Sequence, residues 1–518
     1  MKTSLDKLMI HAAWVYIILP FMLFCIGWLK LYYSLAMVAI LVLSYILSIK
    51  SVTNYYEINL KKHSRKIVLA LSAIIVLVIF SGIGEYSYQV EDHQFRNGVF
   101  HDLVTHHWPL RMNERGNLPT IHQPVLYIYY IEYWLPAALI GKLFGWAIAN
   151  FFLWLWTVLG TTLTFYFLCR YFKIFSLKAL LMFFFFNTIY ILVSFLKYPI
   201  ISVITSDYTI WSGQMVLAGS NIDSLYWIYN QTVTPLLIIA MLLNNLSRQS
   251  IGFLYALCYL HGPFTFIGFF PFLCIMLVND IFLAKDGTFA DRIRPYLTFQ
   301  NLIGSVSVMI IGYFYLSGSP AVQSLYIGKI SLIRYCIFIM VEFGIISMLI
   351  FNKYKKDPFY YAVVIMLLIL PVIGMGTIQP FTFCARVSIA PMFVLMIMVT
   401  KYLLEERFSP TKRIIIAYVV LSAIDPVLQV SRSVAFTIGH YINPVATNTY
   451  LYNRAGEWSN WKKLVPDRSK WKEANFNILN IPETTDTTIN PFLSALEKQS
   501  DNSFFNHYLL KNGTDKRK

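Results

Sequence analysis

Five of the chain's 10 histidines (His93, His101, His106, His107 and His122) lie in one polar stretch from Glu85 to Pro124. Glu91, Asp92, Arg96, Asp102 and Arg111 share it. Imidazoles, carboxylates and guanidinium groups at this density can move protons, hold a metal or neutralise a phosphate. Group transfer away from a phosphate needs two such functions. A carboxylate must take the proton from the acceptor hydroxyl. Positive charge must stabilise the departing phosphate, whether from a divalent ion or from cationic side chains. Glu91 and Asp92, with Asp102 ten residues on, are the catalytic candidates. Arg96, His106, His107 and Arg111 are the candidates for binding the phosphate. Adjacent carboxylates diverge on a helix, so one of Glu91 and Asp92 serves as the base. Asp92 is the expected ligand if the reaction uses Mg2+ or Mn2+. His106 and His107 lack HxxxH spacing and read as phosphate-binding or structural groups. The competing reading is a solvated loop whose charges keep it in water.

The elements that must position these residues belong in lipid. The chain has 518 residues, of which 57% are hydrophobic and 13% charged, against about 25% charged in a soluble domain. Its apolar runs are continuous, which points to helices and excludes an alternating β-barrel. We expect an all-α polytopic transmembrane bundle of about 13 spans, near 12–29, 31–48, 66–83, 147–169, 177–197, 233–247, 252–262, 264–283, 299–316, 331–351, 359–375, 386–404 and 412–429. The net charge of +16 reflects basic cytoplasmic loops, because no basic stripe interleaved with aromatics suggests nucleic acid. The six cysteines lie in or beside apolar runs and read as small core residues. Lys2 and Lys7 precede an apolar run without a cleavage site, so the N-terminal segment reads as an uncleaved anchor.

Basic connections at 50–66, 352–357 and 401–413 belong inside. The N-terminus is then cytoplasmic, and the loops 84–125 and 198–232 and the tail face outward. Residues 126–145 would break this pattern as a span. They are read as a helix at or dipping into the outer interface, with Glu132 and Trp134 at that level; the alternative is a full span. The expected organisation is a membrane domain over 1–429, with an outer catalytic loop at 84–145 and a second outer loop at 198–232. A short extracytoplasmic tail follows over 430–518.

No GxxxxGK[ST] loop occurs, and the outer face of a plasma membrane has no ATP. The donor must arrive already activated from the bilayer, as a lipid-linked sugar phosphate would. In the second loop, Asn230 and Gln231 could bind sugar hydroxyls and Trp227 and Tyr229 could stack, while Trp211 reads as an interfacial aromatic. Arg386, at the mouth of a span, could hold a phosphate. His261 marks a break in an apolar segment and is a further binding candidate. Arg334 and Glu342 read as structural or cavity-facing groups within one span.

The runs VEDHQFRNGVFHDLVTHHWPL and YIYYIEYWLPAALIGKLFG, with CARVSIAP and SFFNHYLLK, resemble uncharacterised bacterial membrane proteins of surface-polysaccharide clusters. More distantly, the layout is similar to the GT-C superfamily of glycosyltransferases. That resemblance implies a GT-C-like bundle, a polyprenyl-phosphate-linked sugar donor and a glycan acceptor. It also implies a base or metal role for Glu91 and Asp92. Three spans precede the acidic loop here, two more than in GT-C enzymes, and no sizeable soluble C-terminal domain follows. The competing functions are a lipid-linked oligosaccharide transporter or flippase and a non-enzymatic assembly component. An O-acyltransferase using His261 is a fourth.

Overall fold

The computed structural model describes residues 4–56, 60–90, 92–112, 125–205, 211, 213–317, 324–376, 380–442, 497–498 and 505–511. The chain opens with α1 (Ser4–Trp28), α2 (Leu31–Lys50), α3 (Leu60–Phe80) and α4 (Asp92–Thr105). The strands β1 (Arg111–Met112) and β2 (Val125–Ile128) precede α5 (Leu135–Phe144) and α6 (Trp146–Phe172). Next come α7 (Leu177–Phe185), α8 (Tyr190–Lys197), α9 (Ile200–Thr205), α10 (Asn221–Ile228), α11 (Val233–Leu243), α12 (Ile251–His261) and α13 (Pro263–Val278). The run continues with α14 (Phe289–Ile293), α15 (Ser305–Ser317), β3 (Leu325–Ile327), α16 (Leu332–Ile339), α17 (Ile345–Tyr354), α18 (Pro358–Ile369) and β4 (Ile373–Met375). It ends with α19 (Thr382–Val387), α20 (Ile389–Glu405), α21 (Pro410–Ser422), α22 (Ile424–Ile442) and β5 (Glu497–Lys498).

The protein is a mostly helical bundle suited to a bilayer. Among the described residues, seven helices are long and apolar enough to cross a membrane. Three further pairs qualify only jointly, bent by 45°, 104° and 56° at short breaks, which gives up to ten spans. The thirteen expected spans therefore include several that are broken or short. The 177–197 span breaks between α7 and α8, and α12 is 11 residues long. The last span continues through α22 to Ile442, past 430, where the sequence reading ended the membrane domain.

Charged and aromatic contacts define two ends. At one, Asp6 of α1 is buried against Arg170 of α6 at 3.3 Å and accepts the Tyr56 backbone N–H at 2.6 Å. Arg170 also donates to the Asn54 carbonyl at 2.5 Å and to Asn244 at 3.1 Å. The clamp ties the start of α1 to the end of α6. At the other end, Trp28 of α1 lies 5.6 Å from Trp108, and Trp146 of α6 lies 5.2 Å from Phe100 of α4. β1 and β2 pair antiparallel here, and β5 adds to β2. A turn at 505–511 closes the same end. Lys30 donates its N–H to Leu509, Lys511 donates to Trp28, and Phe505 is buried between Phe24 and Tyr315.

Residues 126–145 correct the single interfacial helix expected there. They form β2, a short 3-10 turn at Glu132–Trp134, and then α5. Gly145, at φ 87, turns the chain straight into α6. Only a residue without a Cβ takes that conformation without strain. α5 packs along the first half of α6, with Gly141 against Ala149. Two contacts give the depth of the tip. Tyr133 hydrogen-bonds Thr157 at 2.7 Å, eleven residues into α6 from Trp146. Glu132 meets His261, which holds the carbonyl of Ile17, eleven residues into α1 from Trp28. Each spacing is roughly 16 Å of helix. The segment is a re-entrant hairpin that enters the bundle and returns to the same end.

Candidate functional site

The site is built on the three-residue 3-10 turn Tyr229–Gln231, which joins α10 to α11 at the 104° bend. Its side chains are almost wholly buried. α4 brings Asp92 and Arg96 to it, one helical turn apart on one face. Arg96 is 3% exposed. Its Nη2 meets the Asp92 carboxylate at 3.0 Å, and its Nε donates to Asn230 Oδ1 at 3.3 Å. Its carbon lies 5.9 Å from the centre of the Tyr229 ring. Its remaining nitrogen, Nη1, is buried and makes no hydrogen bond among the described residues. From the far side of the sequence, α19 supplies Arg386, whose Nη1 donates to Gln231 Oε1 at 3.2 Å. Its guanidinium lies 5.7 Å from the Phe264 ring. Two arginines separated by most of the chain thus contact adjacent residues of one turn.

The hairpin tip forms the wall beneath. Asn230 Nδ2 donates to the Tyr130 carbonyl at 3.5 Å, and Trp134 Nε1 donates to Tyr229 Oη at 3.0 Å. His93 stacks on the Tyr229 ring at 5.5 Å. Burial drives its pKa down from 6.5 to about 3, with the Arg96 charge adding to the effect, so this imidazole is neutral.

The structure brings together Asp92, Arg96, Asn230, Gln231 and Arg386 of the residues expected from sequence. Glu91 and His122 lie outside the described residues. Arg111 stands in β1. Asp102 lies ten residues along α4 from Asp92, roughly 15 Å. It is 2% exposed and sits 3.8 Å from the His106 ring. His106 accepts a contact from Lys142 on its carbonyl, and His107 is exposed. Burial lowers the pKa of both His101 and His106. These groups belong to the mouth rather than to the turn. His261 faces Glu132 and the Ile17 backbone. Trp211 was read as an interfacial aromatic, and its indole N–H in fact donates to Glu342 inside the bundle.

Tyr130 and Glu132 were missed as members of the site, whereas Tyr229 was expected to stack on sugar and instead receives the Trp134 indole N–H. A lone carboxylate in an apolar run is itself a signal, and Glu132 carried it. Its burial, rather than an interfacial setting, comes from the hairpin's depth. Among the described residues no group of three or more His, Cys, Asp or Glu side chains comes together to hold a metal. Comparison with protein-family models, curated proteins and solved structures found no match.

Proposed function

We propose that this chain is an integral-membrane glycosyltransferase or polysaccharide polymerase. It would take sugar from a polyprenyl-phosphate-linked donor at the outer face of a bacterial plasma membrane and pass it to a glycan acceptor. The observation that supports this reading is the convergence of Arg96 and Arg386 on the Tyr229–Gln231 turn, with the Asp92 carboxylate 3.0 Å from Arg96. An arginine buried in an apolar bundle with an unfilled donor is suited to an anionic partner. In this reading the two guanidinium groups neutralise the phosphate as the glycosidic bond breaks. Asp92 takes the proton from the attacking hydroxyl, and Asn230 and Gln231 orient the polar groups around it. The residues present offer a divalent ion one described carboxylate, Asp92, which Arg96 already engages.

The test is glycan assembly in cells carrying D92N, R96K or R386K. Removing a general base lowers turnover by about 100- to 10,000-fold, so D92N should stall assembly and accumulate lipid-linked precursor. Replacing either forked guanidinium by an ammonium should cost about tenfold. Normal assembly by all three variants would sink the proposal. The three bent helix pairs favour a second reading, a lipid-linked oligosaccharide transporter, because broken helices recur at transport sites. Purified protein that moved a labelled lipid-linked glycan across liposomes without altering the glycan would establish it instead.

A further inference from the structure

Glu132 and His261 meet far from water. Glu132 stands at the hairpin tip and is 2% exposed; His261 ends α12 and is 1% exposed. The His261 Nδ1 to Glu132 Oε2 distance is 3.3 Å. Among the described residues neither carboxylate oxygen has another hydrogen-bond partner, and neither has Nδ1. The other ring nitrogen decides the protonation. Nε2 lies 3.0 Å from the Ile17 carbonyl, which can only accept, so Nε2 carries hydrogen. A neutral imidazole then turns the lone pair of Nδ1 towards Glu132. An ionised carboxylate there would set lone pair against lone pair and leave a bare buried charge, which is strongly unfavourable. One proton between them removes both penalties and leaves the pair neutral overall.

The pair also lies at a junction. His261 belongs to α12, its backbone anchor belongs to α1, and Glu132 is two residues from the Tyr130 carbonyl that receives Asn230. Asn230 in turn receives Arg96. We propose that Glu132 and His261 share a single proton. This neutral pair is a positioning element that sets the depth of the re-entrant tip and, through Tyr130 and Asn230, the place of Arg96. The second half of this inference rests on the functional reading above; the first half does not.

The test compares E132Q, E132A, H261A and wild type in lipid nanodiscs. A glutamine amide can donate to Nδ1 without any proton being shared, so E132Q should hold the tip. Hydrogen exchange at 129–134 and 228–232 should accelerate about tenfold in E132A and H261A, stay near wild type in E132Q, and leave the Asp6–Arg170 end unchanged. Undecaprenyl phosphate is the binding probe. Its affinity should fall about tenfold in the two alanine variants and recover in E132Q. Exchange that rises equally everywhere, or an E132Q that matches E132A, would overturn the positioning role. In nitrogen-15 histidine spectra, the resonance lost in H261A should show a hydrogen-bonded Nδ1 in wild type. A free, unbonded Nδ1 would overturn proton sharing. If wild type fails to bind undecaprenyl phosphate while the exchange pattern holds, the functional reading falls and the neutral pair stands.

Discussion

His93 shows what one residue in this site does to the whole protein. Its imidazole is held neutral in the fold, with a pKa near 3 against an ordinary 6.5. Between those values the unfolded chain binds a proton that the folded chain refuses. Stability is therefore complete above about 6.5 and falls as the pH drops towards 3. Thermal unfolding in detergent should show that acid limb, and H93Q should flatten it. An unchanged limb would remove His93 from the account. At this scale the sequence was partly readable. Asp92 and Arg96 stood out by type and spacing, one turn apart. The histidines were conspicuous for a different reason than their role, since His93 packs as a neutral ring and His107 stays in solvent. Arg386 could be picked out, but nothing in its neighbourhood indicated that Gln231 would be its partner. That pairing depends on two helices meeting across 155 residues of chain.

The re-entrant hairpin is the element that makes the site deep. Its helical arm packs closely on α6 and α4 because Gly141 faces Ala149 and Val104. A Cβ at Gly141 would lie 2.6 Å from the Ala149 methyl and 2.9 Å from Val104. G141V should therefore push α5 off α6 and α4, at a cost of about 1–3 kcal/mol. Its signature is a lower melting temperature with faster exchange in 135–149; a melting temperature equal to wild type would contradict this packing. Charge bias in the basic loops argued against a full span at 126–145, and the hairpin does return to its own end. The tight Gly145 turn and the strand at 125–128 were not legible, because an apolar aromatic run fits a strand, a short helix or an interfacial helix equally well. The broken spans were hidden for a related reason: hydropathy reports a residue's solvent but not the direction of its helix axis.

Across the whole molecule, two polar anchors hold the bundle at opposite ends. The buried Asp6–Arg170 clamp fixes one, and the 505–511 turn fixes the other. Phe505 is fully buried between Phe24 and Tyr315, whose hydroxyl reaches the Tyr129 backbone of the hairpin at 3.2 Å. F505A should lower stability by about 3–5 kcal/mol, read as a drop in melting temperature, and should raise protease access at 505–511. A variant as stable and protected as wild type would show that the turn is only loosely applied. The closure by 505–511 also orders events in time. α1 is synthesised early, yet the residues that cover its end are synthesised long after every span between them. Until they arrive, Phe24 and Trp28 present an open apolar face at the mouth of the bundle. The mouth is thus finished late, and a chain stalled before Phe505 holds its spans without it.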